Sequence, residues 1–201
     1  MAPNDKDTVL RHAGIDRWFH WLTAATMIVL LATSLLPILG LQFAWVDIHW
    51  IAGVILTALV LLHAVRALFW QSPRSMVIGG ADFGEMQGRR LPGKYSLAQK
   101  LMHLGWLVAI LVAIVTGWFL MEKAGVPFFE RNPYMLSLRG WGVMTVLHGL
   151  AALASVFLIL VHVYFGLLPE KRQYLRAMLS GRVPRATLAR EHDLGKVERG
   201  E

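Results

Sequence analysis

The stretch that decides the fold is WGVMTVLHGLAALASVFLILVHVYFGLL, residues 141–168, which contains no Asp, Glu, Lys or Arg. About 20 apolar residues in an α-helix span the roughly 30 Å hydrocarbon core of a bilayer. Three more uncharged stretches precede it, at 18–46, 48–65 and 101–121. Backbone in lipid must satisfy its own polar groups, so each stretch is predicted to be a helix. The chain is therefore predicted to be an all-α integral membrane four-helix bundle.

All four apolar stretches are assigned to one membrane domain, and we expect no separate soluble domain. We expect one membrane domain over residues 1–201, with a basic tail at 169–201. The spans are predicted at about 17–40, 49–70, 98–121 and 140–168. The first seventeen residues are polar and lack a small-residue cleavage pattern, so we expect no removed signal peptide.

Positive charge is distributed unevenly along the chain. Of 20 Lys and Arg residues, seventeen lie in the N-terminal tail, in the middle loop 66–100 or after residue 170. The other three are Lys123, Arg131 and Arg139. The positive-inside rule then predicts cytoplasmic termini and a cytoplasmic middle loop. The net charge of +7 reflects this topology and anionic lipid, rather than nucleic acid.

The tail after the fourth span allows two readings. Residues 171–179 could form an amphipathic helix on the cytoplasmic interface or belong to a solvated basic tail. His12 and His192 lie in charged tails, where we expect solvent exposure.

The chain has no cysteine. This excludes a c-type haem, a thiolate zinc site and an iron–sulfur cluster held by this chain. Any redox centre must be bound by histidine or methionine.

Two histidines in the fourth span point to such a centre. His148 and His162 are fourteen residues apart, so both face the same side of a helix, to within about 40°, and lie about 21 Å apart along it. Polar side chains are costly inside a bilayer, so intramembrane histidines are candidates for function. This pair is typical of axial ligands for two stacked haems, each of which needs a second histidine.

The candidate partners fall into two depth classes. The outer class is His49 and His148, one from each of two parallel helices. The cytoplasmic class contains His20, His63, His103 and His162. Depth alone leaves both His20 and His63 open as the partner of His162.

Small residues follow most of these histidines by one turn, where a flat porphyrin would approach the helix. They are Ala24, Gly53, Ala67, Ala152 and Gly166. Leu107 follows His103, which makes His103 the weaker ligand candidate. Ordinary helix packing in membranes uses the same small residues and is the alternative explanation.

Two arginines near the cytoplasmic ends of the first two spans could pair with haem propionates. These are Arg17 and Arg66. The alternative is that both extend toward lipid phosphates.

Several segments resemble a known group of membrane proteins. The patterns are Ile15-Asp16-Arg17-x-x-His20-Trp21, Ile48-His49-x3-Gly53 and His148-x13-His162. They resemble the membrane cytochrome b superfamily, which includes bacterial cytochrome b561 and the cytochrome b subunits of nickel–iron hydrogenases. The segments GKYSLAQK (93–100) and GRVPR (181–185) are similar to the gamma subunit of respiratory formate dehydrogenases.

The resemblance implies two b haems in the four helices. It implies His20 with His162 for the cytoplasmic haem and His49 with His148 for the outer haem, so that His63 is not a ligand.

The resemblance also implies a quinone site near the start of the third span. The family has Asn and Gly there, where this chain has Ser96 and Ala98. The candidate quinone contacts are Ser96, Gln99 and His103.

The function implied is electron transfer in the bacterial inner membrane. Electrons would enter from an outer iron–sulfur beta subunit and reduce menaquinone or ubiquinone near the cytoplasmic face. Formate oxidation would occur on a separate molybdenum or tungsten alpha subunit. The complex could also assemble into a higher oligomer.

Three alternatives remain open at this point. The chain could be the cytochrome b subunit of a hydrogenase or another oxidoreductase, or a stand-alone quinol-oxidising cytochrome b561. A haem-free proton-coupled transporter belongs to a different class. The uncharged stretches contain no Asp or Glu, which disfavours the transporter.

Overall fold

The computed structural model describes residues 8–71, 73–88 and 90–199, and most of them are helical. In chain order the elements are β1 (Thr8–Leu10), α1 (Gly14–Leu35), α2 (Trp45–Trp70), α3 (Gly80–Met86), α4 (Leu97–Ala124), α5 (Leu138–Leu167), α6 (Arg172–Ser180), β2 (Arg182–Pro184), α7 (Arg185–Glu191) and α8 (Leu194–Arg199). Within the described ranges, four helices are long and apolar enough to cross a membrane: α1, α2, α4 and α5. The predicted fold class is therefore confirmed.

The first two spans differ slightly from the sequence-based limits. Helix α1 ends at Leu35 rather than near residue 40, because Pro37 has no amide to continue the hydrogen-bond ladder. The turn after it closes at Gly40, whose φ of 90° suits glycine. Helix α2 begins at Trp45 rather than 49, with Asp47 in its first turn, where a carboxylate is favoured by the helix dipole.

The chain divides into two compact units. One contains the chain up to Phe19, His63–Leu104 and everything from Val161 onward. The other contains His20–Leu62 and Gly105–Leu160.

In the second unit, small residues allow the helices to pack closely. Ala151 and Ser155, one turn apart on α5, are both buried. A Cβ on Gly105 would lie 3.2 Å from the Leu158 side chain, so α4 and α5 touch there through a glycine. This is the packing mode expected between helices in lipid, where no hydrophobic driving force holds them together.

In the first unit, the two ends of the chain fold together. Strands β1 and β2 pair antiparallel, with Val9 opposite Val183. The core beneath them consists of Ala177, Val183 and Leu188, all fully buried. We call β1, α6, β2, α7, α8 and the loop residues 92–94 that touch them the terminal module.

Residues 92–94 of the middle loop are held in this module by three hydrogen bonds. The Asp193 amide donates to Pro92 O at 2.9 Å, His192 Nδ1 to Gly93 O at 2.6 Å, and Arg11 Nη2 to Lys94 O at 2.8 Å. The expectation that His192 is solvent-exposed is therefore wrong. Its residue surface is only 4% exposed, because its ring nitrogen finds a backbone acceptor inside the module.

Of the two readings left open for residues 171–179, the structure has a helix, α6, and its position on a membrane interface stays a prediction. Its apolar side contributes Ala177 to the module core. His12, also expected to be exposed, is half-buried.

The start of α4 is anchored to α3. Glu85 accepts from the Leu97 amide at 3.1 Å, and Lys100 forms a 2.8 Å ion pair with Asp82. Burial raises the pKa of Asp82, but hydrogen bonds from Lys100 and the Gly79 amide outweigh it and hold the pKa below its ordinary value. Asp82 thus stays ionised and fixes the loop at this end of the helix.

Candidate haem site

The structure brings together the two histidines that the sequence assigned to the outer depth class. His49 on α2 and His148 on α5 are half-buried in the second unit, with ring centres 6.1 Å apart. Their ring planes are inclined at 71°. The two imidazoles therefore face each other across a short gap from two different helices.

Each of these histidines is hydrogen-bonded to a buried threonine on a further helix. Thr33 Oγ1 on α1 lies 2.8 Å from His49 Nδ1, and Thr116 Oγ1 on α4 lies 2.9 Å from His148 Nδ1. The threonine side chains are almost fully buried. All four spanning helices therefore contribute a side chain to this site.

The hydroxyl geometry favours one position for the proton on each histidine. Thr33 donates its single hydroxyl proton to Val29 O at 2.8 Å, and Thr116 donates to Val112 O at 2.5 Å. A hydroxyl that has already donated can only accept from the imidazole. We therefore assign the proton to Nδ1 in both histidines, which leaves the Nε2 lone pair available.

These features fit a metal held between the two rings. Two imidazoles that bind one metal ion through bonds of about 2 Å have ring centres roughly 6 Å apart. The metal-binding nitrogen must be unprotonated, and the other ring nitrogen usually donates to a fixed acceptor. The separation of 6.1 Å and the two threonine acceptors meet both conditions.

Two of the small residues that follow the histidines have open space beside them. A Cβ at Gly53 or at Gly166 would meet no atom within 4 Å. Gly142 and Gly149 on α5 have the same open space, so the space beside Gly53 and Gly166 has room for a flat ring but does not require one.

Gly117 has the opposite environment. A Cβ at this position would lie 3.3 Å from Cε1 of His148. The glycine lets α4 lie directly against the imidazole, so the ring is held by Thr116 on one atom and by the α4 backbone on another.

On the first unit, His63 contacts His103. Their ring centres are 6.2 Å apart with an interplanar angle of 61°, and Phe19 stacks on His63 at 4.9 Å. His63 is half-buried, whereas His103 is exposed. The two histidines that the resemblance left without a ligand role therefore form a pair of their own.

His20 and His162 lie on different units. His20 on α1 belongs to the second unit and is half-buried, with its ring against Trp21 at 5.3 Å. His162 on α5 belongs to the first unit and is exposed. Their pairing stays a prediction.

The two candidate propionate partners have different surroundings. Arg66 forms an ion pair with Asp16 at 2.8 Å, and Gln71 donates to the same carboxylate oxygen. Arg17 donates to Leu179 O, and its Nε is buried without a hydrogen-bond partner. Among the described residues Arg17 has no carboxylate partner. Of the two candidates, Arg17 is therefore the one whose charge is not already balanced by a carboxylate.

Two of the three quinone candidates bond to each other. The Ser96 amide donates to Gln99 Oε1 at 3.0 Å, and the Gln99 amide donates to Ser96 Oγ at 3.3 Å. This reciprocal pair is a capping box, which satisfies the free amides at the start of α4. His103 takes no part in it.

Sequence reasoning missed Thr33, Thr116 and Gly117. Threonine in a membrane helix ordinarily bonds to a carbonyl of its own helix, as Thr26 does with Leu22 O. Nothing local distinguishes Thr33 or Thr116 from it. Their histidine partners are 16 and 32 positions away and become neighbours only when the helices pack.

Comparison with known proteins identifies the family to which the chain belongs. The family model of prokaryotic cytochrome b561 matches residues 11–181. The chain belongs to this family. The resemblance noted from its motifs is thereby confirmed.

Three similar proteins come from strains of Escherichia coli: K12, O6:H1 and O157:H7. Each is named formate dehydrogenase, cytochrome b556(fdo) subunit. Each is 24% identical over 208 residues, covering 93% of this chain and 91% of the relative.

Family membership and the four spans make the chain a multi-pass membrane cytochrome. The family's prosthetic group is haem b, and its activity is electron transport. The site of His49 and His148 has the ligands that such a group requires.

Proposed function

We propose that this cytochrome is the di-haem membrane subunit of a formate dehydrogenase-like complex. It carries electrons from an iron–sulfur partner on the outer side to a quinone near the cytoplasmic face. The observation that carries the proposal is the pair His49–His148, whose rings face each other at 6.1 Å with each Nδ1 within hydrogen-bond distance of a threonine hydroxyl.

Bound haem b would supply one-electron transfer at two points in the membrane. His49 and His148 hold the outer haem in this proposal, and His20 and His162 hold the cytoplasmic haem. The second assignment rests on the family pattern around His20 and on the open helix surface beside Gly166, one turn after His162.

Arg17 is the better propionate partner for the cytoplasmic haem. The charge of Arg66 is already balanced by Asp16, whereas Arg17 has a buried Nε with no partner. A propionate would supply the missing acceptor and the missing negative charge.

The quinone would contact the histidine pair of the first unit rather than the capping box. The proposal rests on His103, which is exposed and close to His63, while Ser96 and Gln99 are occupied with each other. An imidazole N–H can donate to a quinone carbonyl. Reduction of one quinone consumes two electrons, which the iron–sulfur partner supplies, and two protons, which the cytoplasm supplies.

The formate connection comes from the relatives. The relatives named above are formate dehydrogenase cytochrome subunits, and the similarity to this chain covers 91% of their length. We propose that formate oxidation takes place on a separate molybdenum or tungsten subunit. A hydrogenase-type assembly would use the same haem ligands, so the soluble subunits that co-purify with the chain distinguish the two.

Haem content tests the proposal directly. Pyridine haemochrome analysis of the purified chain should give about two haems b per protein. His148→Ala should reduce this to about one. A purified chain with no haem spectrum would sink the proposal and favour the transporter alternative.

The quinone assignment has its own test. His103→Ala should raise KM for quinone by up to about tenfold, which is the loss of one hydrogen bond. Ser96→Ala should leave KM unchanged and lower the free energy of unfolding by about 1 kcal/mol through the lost cap. If Ser96→Ala raises KM and His103→Ala does not, the quinone lies against the start of α4 instead.

A further inference from the structure

Two threonines of the spanning helices bond only within their own helix in the part of the chain that the structure describes. Thr26 donates to Leu22 O at 2.8 Å and Thr145 donates to Trp141 O at 2.9 Å. Thr33 and Thr116 make the same bond within their own helices, but each also contacts a histidine on the next helix. They are among the most buried polar side chains described, at 3% and 2% exposure.

The two contacts are equivalent on the two sides of the site. Helix α1 supports the histidine of α2, and α4 supports the histidine of α5. In each case the hydroxyl proton is committed to a backbone carbonyl, so the oxygen offers the imidazole only lone pairs. Each imidazole also has a backbone carbonyl as a hydrogen-bond partner, Leu30 O for His49 and Ala113 O for His148. The threonine and the carbonyl together favour one tautomer and one rotation of the ring about its Cβ–Cγ bond.

We propose that Thr33 and Thr116 are positioning residues for the outer haem. They lower its reduction potential and hold its two axial imidazole planes crossed near the 71° that the structure records. This inference rests on the proposed function, because it requires His49 and His148 to be the iron ligands.

The direction of the effect follows from the hydrogen bond. An Nδ1–H that donates to an oxygen makes the opposite nitrogen a stronger electron donor. A stronger donor stabilises ferric iron more than ferrous iron, which lowers the potential. Removal of the acceptor should therefore raise it.

The crossed planes provide a second readout. In low-spin ferric haem, crossed imidazole planes give an electron paramagnetic resonance spectrum dominated by one large-g feature, whereas parallel planes give three well-separated lines. A ring freed from its threonine can rotate away from the crossed arrangement. Gly117 limits this rotation at His148, since the α4 backbone lies against that ring.

The experiment uses isosteric pairs in the full-length chain in nanodiscs. Thr33→Val and Thr116→Val remove the acceptor and keep the shape, whereas Thr33→Ser and Thr116→Ser keep the hydroxyl. Thr26→Val and Thr145→Val are matched controls, because those hydroxyls bond only within their own helices in the described structure. The haem affected is identified as the one missing from His148→Ala.

We expect each valine variant to retain two haems, to raise the midpoint potential of the outer haem alone and to shift its large-g feature. The serine variants should restore wild-type values, and the controls should not move them. Wild-type potential and spectrum in both valine variants would overturn the inference while leaving the proposed function intact. A wild-type chain without haem, or a His148→Ala variant that keeps both haems, would instead overturn the proposed function.

Discussion

At the scale of residues, the neighbours of each histidine separate roles that the sequence could not. His49 and His148 face each other and donate to threonine, whereas His63 stacks on Phe19 and contacts His103. The two pairs have nearly the same ring separation, 6.1 and 6.2 Å, so distance does not distinguish them. The hydrogen bonds do, because each ring of the first pair contacts a threonine, whereas the contacts described for the second pair are between rings.

The ligands of the cytoplasmic haem can be separated by three single variants. His20→Ala should lose one of two haems and keep the outer one. His63→Ala and His103→Ala should each keep both, because neither is needed to hold iron. Haem stoichiometry and a redox titration of the visible spectrum provide the measurement. Retention of both haems in His20→Ala, with loss of one in His63→Ala, would make His63 the ligand in place of His20. Loss of one haem in His103→Ala as well would assign that iron to the histidines of α2 and α4.

Much of the outer site follows from sequence, and the missing part has a clear physical cause. The depth of His49 and His148 can be read from hydrophobic runs and helical rise, because both are properties of single helices. Thr33 and Thr116 could not be identified in this way, since their contacts depend on how neighbouring helices are rotated about their axes. Ser96 and Gln99 form a Ser-x-x-Gln pattern in the sequence, which is typical of a helix cap. The resemblance of this segment to the family's quinone site led us to read the two residues as quinone contacts, whereas in the structure they cap α4.

At the scale of elements, the terminal module is the main feature that hydropathy could not predict. Its strands have three residues each and its core has three fully buried side chains, which is too little for a periodic pattern to register. The turn at the end of α6 stabilises this module. Gly181 ends α6 with φ 85°, and its carbonyl accepts from the amides of Arg11 and His12 at 2.8 and 3.1 Å.

Gly181→Ala should open this module. A Cβ at Gly181 would lie 2.8 Å from the carbonyl oxygen of His12, and the left-handed backbone costs about 1–2 kcal/mol for any other residue. Limited proteolysis should then cleave the tail at 185–199 faster, with the haem spectrum unchanged. Gly88→Ala is the matched control, because Gly88 has φ 67° with no atom within 4 Å of its Cβ position. Cleavage of Gly181→Ala at the same rate as the parent chain would show that the contact of Gly181 with His12 does not hold the module closed.

At the scale of the whole molecule, the most basic parts of the chain meet in one place. The N-terminal strand, the middle loop at 92–94 and the C-terminal tail are hydrogen-bonded to one another. They belong to the N-terminal tail, the loop 66–100 and the tail after residue 170, which together hold seventeen of the 20 Lys and Arg residues. The positive-inside pattern therefore corresponds to a folded module as well as to a charge bias.

The buried His192 should make this module sensitive to acid. Burial lowers the pKa of His192, and its bond to Gly93 O offsets this only in part. The folded module therefore binds fewer protons than the unfolded tail, and stability falls as the pH drops below about 6.5, the value for a free histidine. The protection factors of the α7 and α8 amides, which correct for the slower intrinsic exchange in acid, should be high at pH 7.5 and lower at pH 5.5.

His192→Gln keeps a donor for Gly93 O and cannot titrate, so the protection factors of this variant should not change over the same range. Glu191 does not contribute in this window. Burial raises its pKa, but hydrogen bonds from Lys171 and Tyr174 outweigh this and hold the pKa below its ordinary value. The same acid response in His192→Gln as in the parent chain would remove His192 as its cause.

The pairing of β1 with β2 also bears on membrane topology. Residues 8–10 and 182–184 share a ladder, so the two ends of the membrane domain lie on the same side of the bilayer. The charge bias predicts that this side is the cytoplasm. A fluorescent reporter that folds only in the cytoplasm should therefore be active when fused after Glu201, and an alkaline phosphatase fusion there should be inactive. Fusions after Glu130, in the loop between α4 and α5, should give the reverse, since this loop is separated from the module by one span on each side. Phosphatase activity after Glu201 would place the terminal module outside the cell membrane and exchange the outer and cytoplasmic assignments of the two haem sites.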